Sequence, residues 1–313
     1  METMKAVRIH SFGGLEVLQY EETLCPEIGD QEVLVRVHAA GVNPLDWKVR
    51  QGYLNGWIDH SLPLVLGWDL SGVVEATGPG VTDFSPGQAV FGRADVSRDG
   101  TYAEYVVVRA AEVSAKPKSV DHDHAAAIPQ ATLAAWQALF NGAGLSSGQT
   151  VLIHGAAGGV GTFAVQLAKL RGARVIGTAS ENHLDFLREL GVDEVIEYNK
   201  TRFEQVVQDA DVVLDLVGGE TLERSWAVLK PGGVLVSIVD MPSEETAAAH
   251  GVQQRFATAE LNPAILPEMA ALVDAGQIKP VVSTILPLNE VRQAHTISQS
   301  MHALGKIVLH VAD

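Results

Sequence analysis

The chain has 313 residues, of which 47% are apolar and 19% charged, with a net charge of −16 and one cysteine. That length is enough for two domains, and the composition suits a compact, well-buried protein rather than a disordered one. Acidity without a block of Lys or Arg argues against a nucleic-acid or anionic-membrane surface, and a lone Cys25 rules out an internal disulfide and a cysteine-built zinc site. The opening "METMKAVRIHSFGG" has no apolar run of signal-peptide length, and no window approaches the roughly 18 apolar residues of a membrane helix. The expectation is a cytoplasmic globular protein.

From the N-terminus to about residue 117 the chain reads as short strands broken by Gly and Pro: "KAVRIHSF", "EVLVRVHA", "LSGVVEATG", "QAVFGRA" and "TYAEYVVV". This spacing predicts an antiparallel β domain, a distorted barrel. In "EVLVRVHAA" the residues Val33, Val35 and Val37 fall on one side of a strand. The segment that follows, "AGVNPLDWKVRQG", turns at Gly41, Asn43 and Pro44 and presents Asn43, Asp46, Lys48 and Arg50 in quick succession. It is either a catalytic loop or a polar turn.

At about residue 122 the pattern changes. "HAAAIPQATLAAWQALF" is a helix broken or begun near Pro129, and strands then alternate with helices. "TVLIHG" precedes "GVGTFAVQLAKLRG", "ARVIGTAS" precedes "NHLDFLRELG", "EVIEY" precedes a helix over "RFEQVVQD", and "ADVVLDLVGG" precedes "TLERSWAVLK", with "GGVLVSIVD" after it. Near-continuous apolar strands of this kind belong to a parallel sheet covered on both faces, a doubly wound α/β domain. The last segment ends in a strand with no helix after it, so it is able to return to the first domain.

The stretch "TVLIHGAAGGVGTFAVQLAKL" runs strand, glycine turn, helix. Ala156, Gly158, Gly159, Val160 and Gly161 form the turn, with Gly158 and Gly161 at the second and third glycine positions of G-x-G-x-x-G and Ala156 at the first. Small residues there let the backbone approach a pyrophosphate, and free N–H groups at the helix start meet its charge. An NAD site carries an acid at the end of the next strand, about 20 residues on, to hold the ribose 2′-hydroxyl. Here that strand ends at Ser180, which donates to a 2′-phosphate where an acid would repel it. Asn182, His183 and Arg188 lie nearby, beside an opposing Glu181. The reading favours NADPH.

The order of "AGVNPLDW", "PLVLGWDLSGVVEATGPGV", "GTYAEYVVV", "HGAAGGVGTFAVQLAK", "GQIKP" and "GKIVL" resembles the medium-chain dehydrogenase/reductase superfamily, and within it the zinc-independent quinone oxidoreductase (zeta-crystallin-like) branch. The resemblance implies an α/β chain with a GroES-like β-barrel catalytic domain over residues 1–121 and 283–313. A Rossmann doubly wound parallel-sheet cofactor domain spans 122–282. It also implies NADPH as cofactor, a homodimer, and an active site in a cleft between domains. Zinc alcohol dehydrogenases of the superfamily have a cysteine ligand where this chain has Asn43, Gly-His-Glu where it has Gly67-Trp68-Asp69, and four cysteines for a structural zinc that it lacks. Without a metal to polarise a carbonyl, the feasible acceptors are carbons already electrophilic: quinones and α,β-unsaturated carbonyls.

The catalytic candidates are then Asn43, Lys48, Tyr53 and Asp46. Asn43 is a polar residue the family keeps near the nicotinamide or substrate, or else a turn residue before Pro44. Lys48 is placed to meet a substrate oxygen. Tyr53 is a proton or hydrogen-bond donor, one position earlier than relatives carry it. Asp46 organises the loop, with a salt bridge to Lys48 or Arg50. Trp57 and Trp68 wall the pocket or belong to the core. Tyr198 matches a tyrosine that relatives place beside the adenosine phosphate, whereas Leu184 stands where relatives often have a phosphate-binding lysine. Ala134 replaces a threonine that commonly contacts the nicotinamide side, leaving Thr132 as the candidate hydroxyl. In "DHDH" (121–124) an Asp caps the following helix, with the histidines in solvent; alternating residues do not share a helix face, so no metal site is expected. His154 packs at a strand end, and Cys25 is incidental. The expected function is zinc-independent hydride transfer from NADPH to a quinone or activated C=C bond. Alkenal, enone or enoyl-thioester reduction is the enzymatic alternative, and a non-catalytic NADPH-binding redox sensor the alternative outside catalysis.

Overall fold

The computed structural model describes residues 2–312, which fold as two compact units. The first comprises residues up to Gln130 together with Leu261–Gly276 and Pro280 onward. Its strands in chain order are β1 (Thr3–Ile9), β2 (Gln19–Leu24), β3 (Glu32–Val42), β4 (Leu64–Val65), β5 (Asp69–Thr77), β6 (Ala89–Arg93), β7 (Tyr105–Arg109) and β8 (Val113–Ala115). Helix α1 (Pro44–Arg50) follows β3, α2 (His122–Ala126) follows β8, and α3 (Pro129–Trp136) leads out of the unit. The eleven-residue β3 is the spine. Val33, Val35 and Val37 are all fully buried, as the alternation requires. β5 pairs antiparallel along one edge of β3, and β7 takes the first half of the other edge.

The second unit comprises Ala131–Glu260 and Gln277–Lys279. It contains β9 (Thr150–Ile153), α4 (Gly159–Leu170), β10 (Arg174–Ala179), α5 (Leu184–Glu189), β11 (Glu194–Glu197), β12 (Ala210–Asp215), α6 (Gly219–Ser225), β13 (Leu229–Ser237), α7 (Glu244–His250) and β14 (Gln253–Phe256). The six strands form one parallel sheet in the order β11-β10-β9-β12-β13-β14. The order reverses direction beside β9, where doubly wound sheets bind ligands at the strand C-termini. One expected helix shrinks: "RFEQVVQD" makes only a 3-10 turn at Phe203–Gln205. Phe203 and Val207 are both buried, the β-branched Val206-Val207 pair disfavours continuing the helix, and Asp209 turns the chain at φ 57°.

The chain then returns to the first unit with α8 (Ile265–Asp274), β15 (Val282–Pro287), α9 (Val291–Gln299) and β16 (Lys306–His310). β16 pairs antiparallel with the second half of β3, with Ile307 opposite Val42. This register sets Lys306 beside the Val42–Asn43 end of β3, while Asp69 pairs opposite Gly41 from the other edge. No helix among the described residues is long and apolar enough to cross a membrane.

Candidate active site

Three strands therefore deliver Asn43, Asp69 and Lys306 to one buried point. Asn43 occupies the N-cap of α1, and the hydrogen bonds of its side chain lead away from the helix. Its Nδ2 donates to Asp69 Oδ2 at 2.9 Å, and its Oδ1 accepts from Lys306 Nζ at 2.5 Å. Lys306 Nζ also donates to the Val42 carbonyl at 3.1 Å and lies 3.4 Å from Asp69 Oδ2. The second Asp69 oxygen accepts the Gln130 backbone N–H at 2.7 Å. Asp69 and Lys306 are buried, so each charge depends on the other, and deleting one partner of such a pair costs roughly 3–5 kcal/mol. Gly41 makes room for the cluster: a Cβ there would lie 2.8 Å from the Asp69 Cβ and overlap the Ala126 carbonyl.

Asp46 supports this point from one turn along α1. It is fully buried, and its Oδ2 accepts the Asn43 backbone N–H at 2.8 Å and the Tyr102 hydroxyl at 2.6 Å. The expected salt bridge to Lys48 or Arg50 does not form. Asp46, a catalytic candidate on sequence, has no face accessible to substrate, so it is a positioning residue for the Asn43 backbone. Burial pushes its carboxyl up to about 7, against the opposing pull of Tyr102, the Asn43 N–H and Lys306. Tyr102 fits only because residue 67 is glycine; φ there is 80°, and a Cβ would overlap the tyrosine ring. Arg50 is buried without a carboxylate: Nη1 meets His295 Nδ1 at 3.0 Å, Nη2 donates to Gln299 Oε1 at 3.1 Å and Nε to the Gly13 carbonyl at 3.3 Å. Burial, with the neighbouring guanidinium, lowers His295 to about 3, so its ring is neutral and accepts from Arg50.

The other candidates of this unit sort by exposure. Lys48 is half-buried, 5.8 Å from the Trp47 ring centroid, and makes no ion pair among the described residues. Tyr53 is 66% exposed and stands edge-on to the same Trp47 ring at 6.3 Å. Trp57 is 85% exposed, whereas Trp68 is core, its indole Nε1 donating to the Arg98 carbonyl. Asp121 caps α2 by accepting the His124 N–H, as expected. His122, however, is not in solvent: it stacks on His38 at 4.4 Å and meets Ser71 Oγ at 2.8 Å, because α2 lies on the sheet. Burial raises the Cys25 thiol above the ordinary cysteine range.

In the second unit the glycine turn fits a dinucleotide. Gly158 is the N-cap of α4 without a side-chain cap, so the first N–H groups of a twelve-residue helix are left for an anion. A Cβ on Gly161 would overlap the Gly155 carbonyl and sit 2.7 Å from the Ala156 carbon, so the helix approaches the strand only as glycine allows. Gly155 turns at φ 67°, Ala156 is buried, and Gly159 and Val160 open α4 half-exposed. Ser180 lies just past β10, 3.4 Å from His183 Nδ1. Asn182 is exposed, and Tyr198 is half-exposed after β11. Sequence reasoning missed Lys200, which bridges Glu181 at 2.7 Å and Glu197 at 3.0 Å at this same edge. Arg188 is bound to Asp185 on the surface. Thr132 is fully buried in α3, and His154 is buried between Thr178 and Ser225.

Two family models match the chain: an alcohol dehydrogenase GroES-like domain over residues 29–118 and a zinc-binding dehydrogenase over residues 190–309. The chain is 37% identical to mouse "NAD(P)H oxidoreductase RTN4IP1, mitochondrial", covering 98% of this chain and 89% of that protein. It is 35% identical to an Arabidopsis thaliana "NADPH-dependent alkenal/one oxidoreductase, chloroplastic", covering 98% and 79%. The quinone oxidoreductase structure from Coxiella burnetii superposes with a TM-score of 0.93 at 34% identity over 99% of this chain and all of that one. The chain belongs to the quinone oxidoreductase-like branch of the medium-chain dehydrogenase/reductase superfamily, and it is an oxidoreductase using a nicotinamide cofactor. The zinc of the second model's description does not fit the residues here. Asn43 is a carboxamide already bound to Asp69 and Lys306, Trp68 offers only an N–H donor, and Lys306 places a cation on the Asp69 carboxylate. Among the described residues no group of three His, Cys, Asp or Glu side chains is arranged to hold a metal.

Proposed function

We propose that this protein reduces quinones or activated carbon–carbon double bonds with NADPH, without zinc, as a homodimer. The observation that carries the reading is the Asn43–Asp69–Lys306 cluster, which puts a carboxamide where zinc dehydrogenases have a thiolate. The nicotinamide, when bound through the Gly155–Gly161 turn and α4, supplies a hydride. The chain's own groups then deal with the oxygen that gains charge. The Asn43 carboxamide and Lys48, which makes no ion pair among the described residues, are its donors, and a proton from water or from the exposed Tyr53 completes the two-electron reduction to a hydroquinone or a saturated carbonyl. Such donors suffice only for carbons that are already electrophilic, so simple aldehydes should be poor substrates.

Ser180 at the end of β10 supports NADPH over NADH. The β14 edge, paired only with β13 among the described residues and carrying a partly exposed Phe256, supports association through the sheet. Consumption of NADPH and of NADH by chelator-treated protein, against a quinone, an enone and a simple aldehyde, tests the reading. Turnover of the quinone or enone with NADPH preferred is expected, and the ratio of the two rates names the acceptor class. Efficient aldehyde reduction, or activity only after zinc is restored, would overturn it. Sedimentation at micromolar concentration should give twice the chain mass.

A further inference from the structure

We propose that Lys306 is a positioning residue for the reaction: its ammonium group fixes which way the Asn43 carboxamide faces, and so holds one amide N–H ready for the substrate oxygen. This rests on the reading of Asn43 as an oxygen donor given above. A carboxamide has two nearly isosteric ends, and its neighbours decide which is which. At Asn43 those neighbours are unequal. Lys306 Nζ, a pure donor, lies 2.5 Å from Oδ1, and the Asp69 carboxylate, a pure acceptor, lies 2.9 Å from Nδ2. A flip would set donor against donor and acceptor against acceptor, at hydrogen-bond distance and in a buried site. In the fixed orientation Nδ2 spends one hydrogen on Asp69, and the other has no partner among the described residues. The Asp46 carboxylate holds the Asn43 backbone N–H, which fixes where the carboxamide is presented.

The geometry also explains why the lysine arrives on the last strand. Pairing of Ile307 with Val42 sets Lys306 at the end of β3, where a third contact, to the Val42 carbonyl, holds the amine in place. The residue is thus a resident cation built into the sheet.

The test is a double-mutant cycle read as kcat with NADPH and the better of the quinone or enone. Because K306M alone strands the Asp69 charge, the working variant is K306M/D69N, which removes both charges together. It should keep a cooperative thermal transition, bind NADPH within about twofold of the parent, and lose roughly tenfold or more in kcat, a part of what an oxyanion donor supplies. In an N43A background the same two substitutions should cost nothing further. Selective 15N-asparagine labelling gives a readout independent of turnover: the Asn43 carboxamide protons should be sharp in the parent and broadened or shifted in K306M/D69N. If N43A keeps full kcat, the donor reading itself fails. A folded K306M/D69N that keeps full kcat, or a loss that persists in the N43A background, overturns the role of Lys306 and leaves the donor reading standing.

Discussion

The two units solve binding with opposite materials. In the second, the cofactor cradle is backbone: Gly155, Gly158 and Gly161 bring N–H groups and helix α4 close by having no side chains. In the first, the reactive point is almost all side chain, with Asn43, Asp69, Lys306, Asp46 and Tyr102 buried and each bonded to another. A backbone site tolerates no added atom. A side-chain network tolerates no lost partner. Perturbations should therefore differ in kind between the two.

The largest effect on cofactor binding is expected from G161A. The added Cβ overlaps the Gly155 carbonyl and must push α4 away from β9. The dissociation constant for NADPH, measured by quenching of protein fluorescence, should rise by roughly two orders of magnitude as the pyrophosphate loses its helix start. The Asn43 carboxamide signals of the first unit should not move. Binding within a few-fold of the parent would show that the turn is not the cradle.

Asp46 gives the largest effect on stability, with a size that depends on pH. Its carboxyl titrates near 7 in the fold, against an ordinary value of 3.8. Between those values the folded chain holds a proton that the unfolded chain has released, so stability falls as pH rises through the window. The full cost, about 4 kcal/mol from the size of the shift, is present above pH 7. D46N keeps an oxygen for Tyr102 and the Asn43 N–H and cannot ionise. Its melting temperature should therefore match the parent at low pH and exceed it increasingly toward pH 8. A constant difference across the range would mean that Asp46 is ionised throughout, with its charge met by Lys306.

N43A comes third. The chain should fold, since its cap is made by backbone and Asp46, but kcat should drop roughly a hundredfold, about 3 kcal/mol, as for loss of one oxyanion donor. The KM for NADPH should stay within about twofold, because the cradle belongs to the other unit.

The same contrast explains what could be read in advance. The glycine turn was legible because its signal is local: a strand, small residues and a helix within one short stretch. The strand alternation of Val33, Val35 and Val37 was legible for the same reason, and Asn43 drew notice through its place after that strand. Its partners were not legible. Lys306 is 263 residues away, and Tyr102 is 56 residues from Asp46. Lys306 stood in "GKIVL", one of the motifs that carried the family resemblance, but nothing in that segment says what an ammonium there would touch. Only the register of β16 against β3 does. The helix expected over "RFEQVVQD" failed because tertiary burial of Phe203 and Val207 is met by a single turn.

Ser180 gives the smallest effect and bears on the one place where the second unit departs from pure backbone recognition. Glu181 follows it directly, an acid where a 2′-phosphate would suffer repulsion, yet its carboxylate is bound to Lys200, which Glu197 also holds. The pair is exposed, so its own contribution to stability is slight. Its consequence for a ligand is larger: the cation stands at the strand edge, and the neighbouring acid is already engaged. S180D adds a second acid that Lys200 has no capacity to neutralise, and it supplies the carboxylate that an NAD ribose requires. The ratio of kcat/KM for NADPH over NADH should fall about tenfold, through KM rather than kcat. K200A should shift the ratio the same way by exposing Glu181, and S180D/K200A should shift it further than either change alone. If S180D leaves the ratio unchanged, the ribose lies away from the end of β10, and cofactor choice then rests with the tyrosine edge at Tyr198.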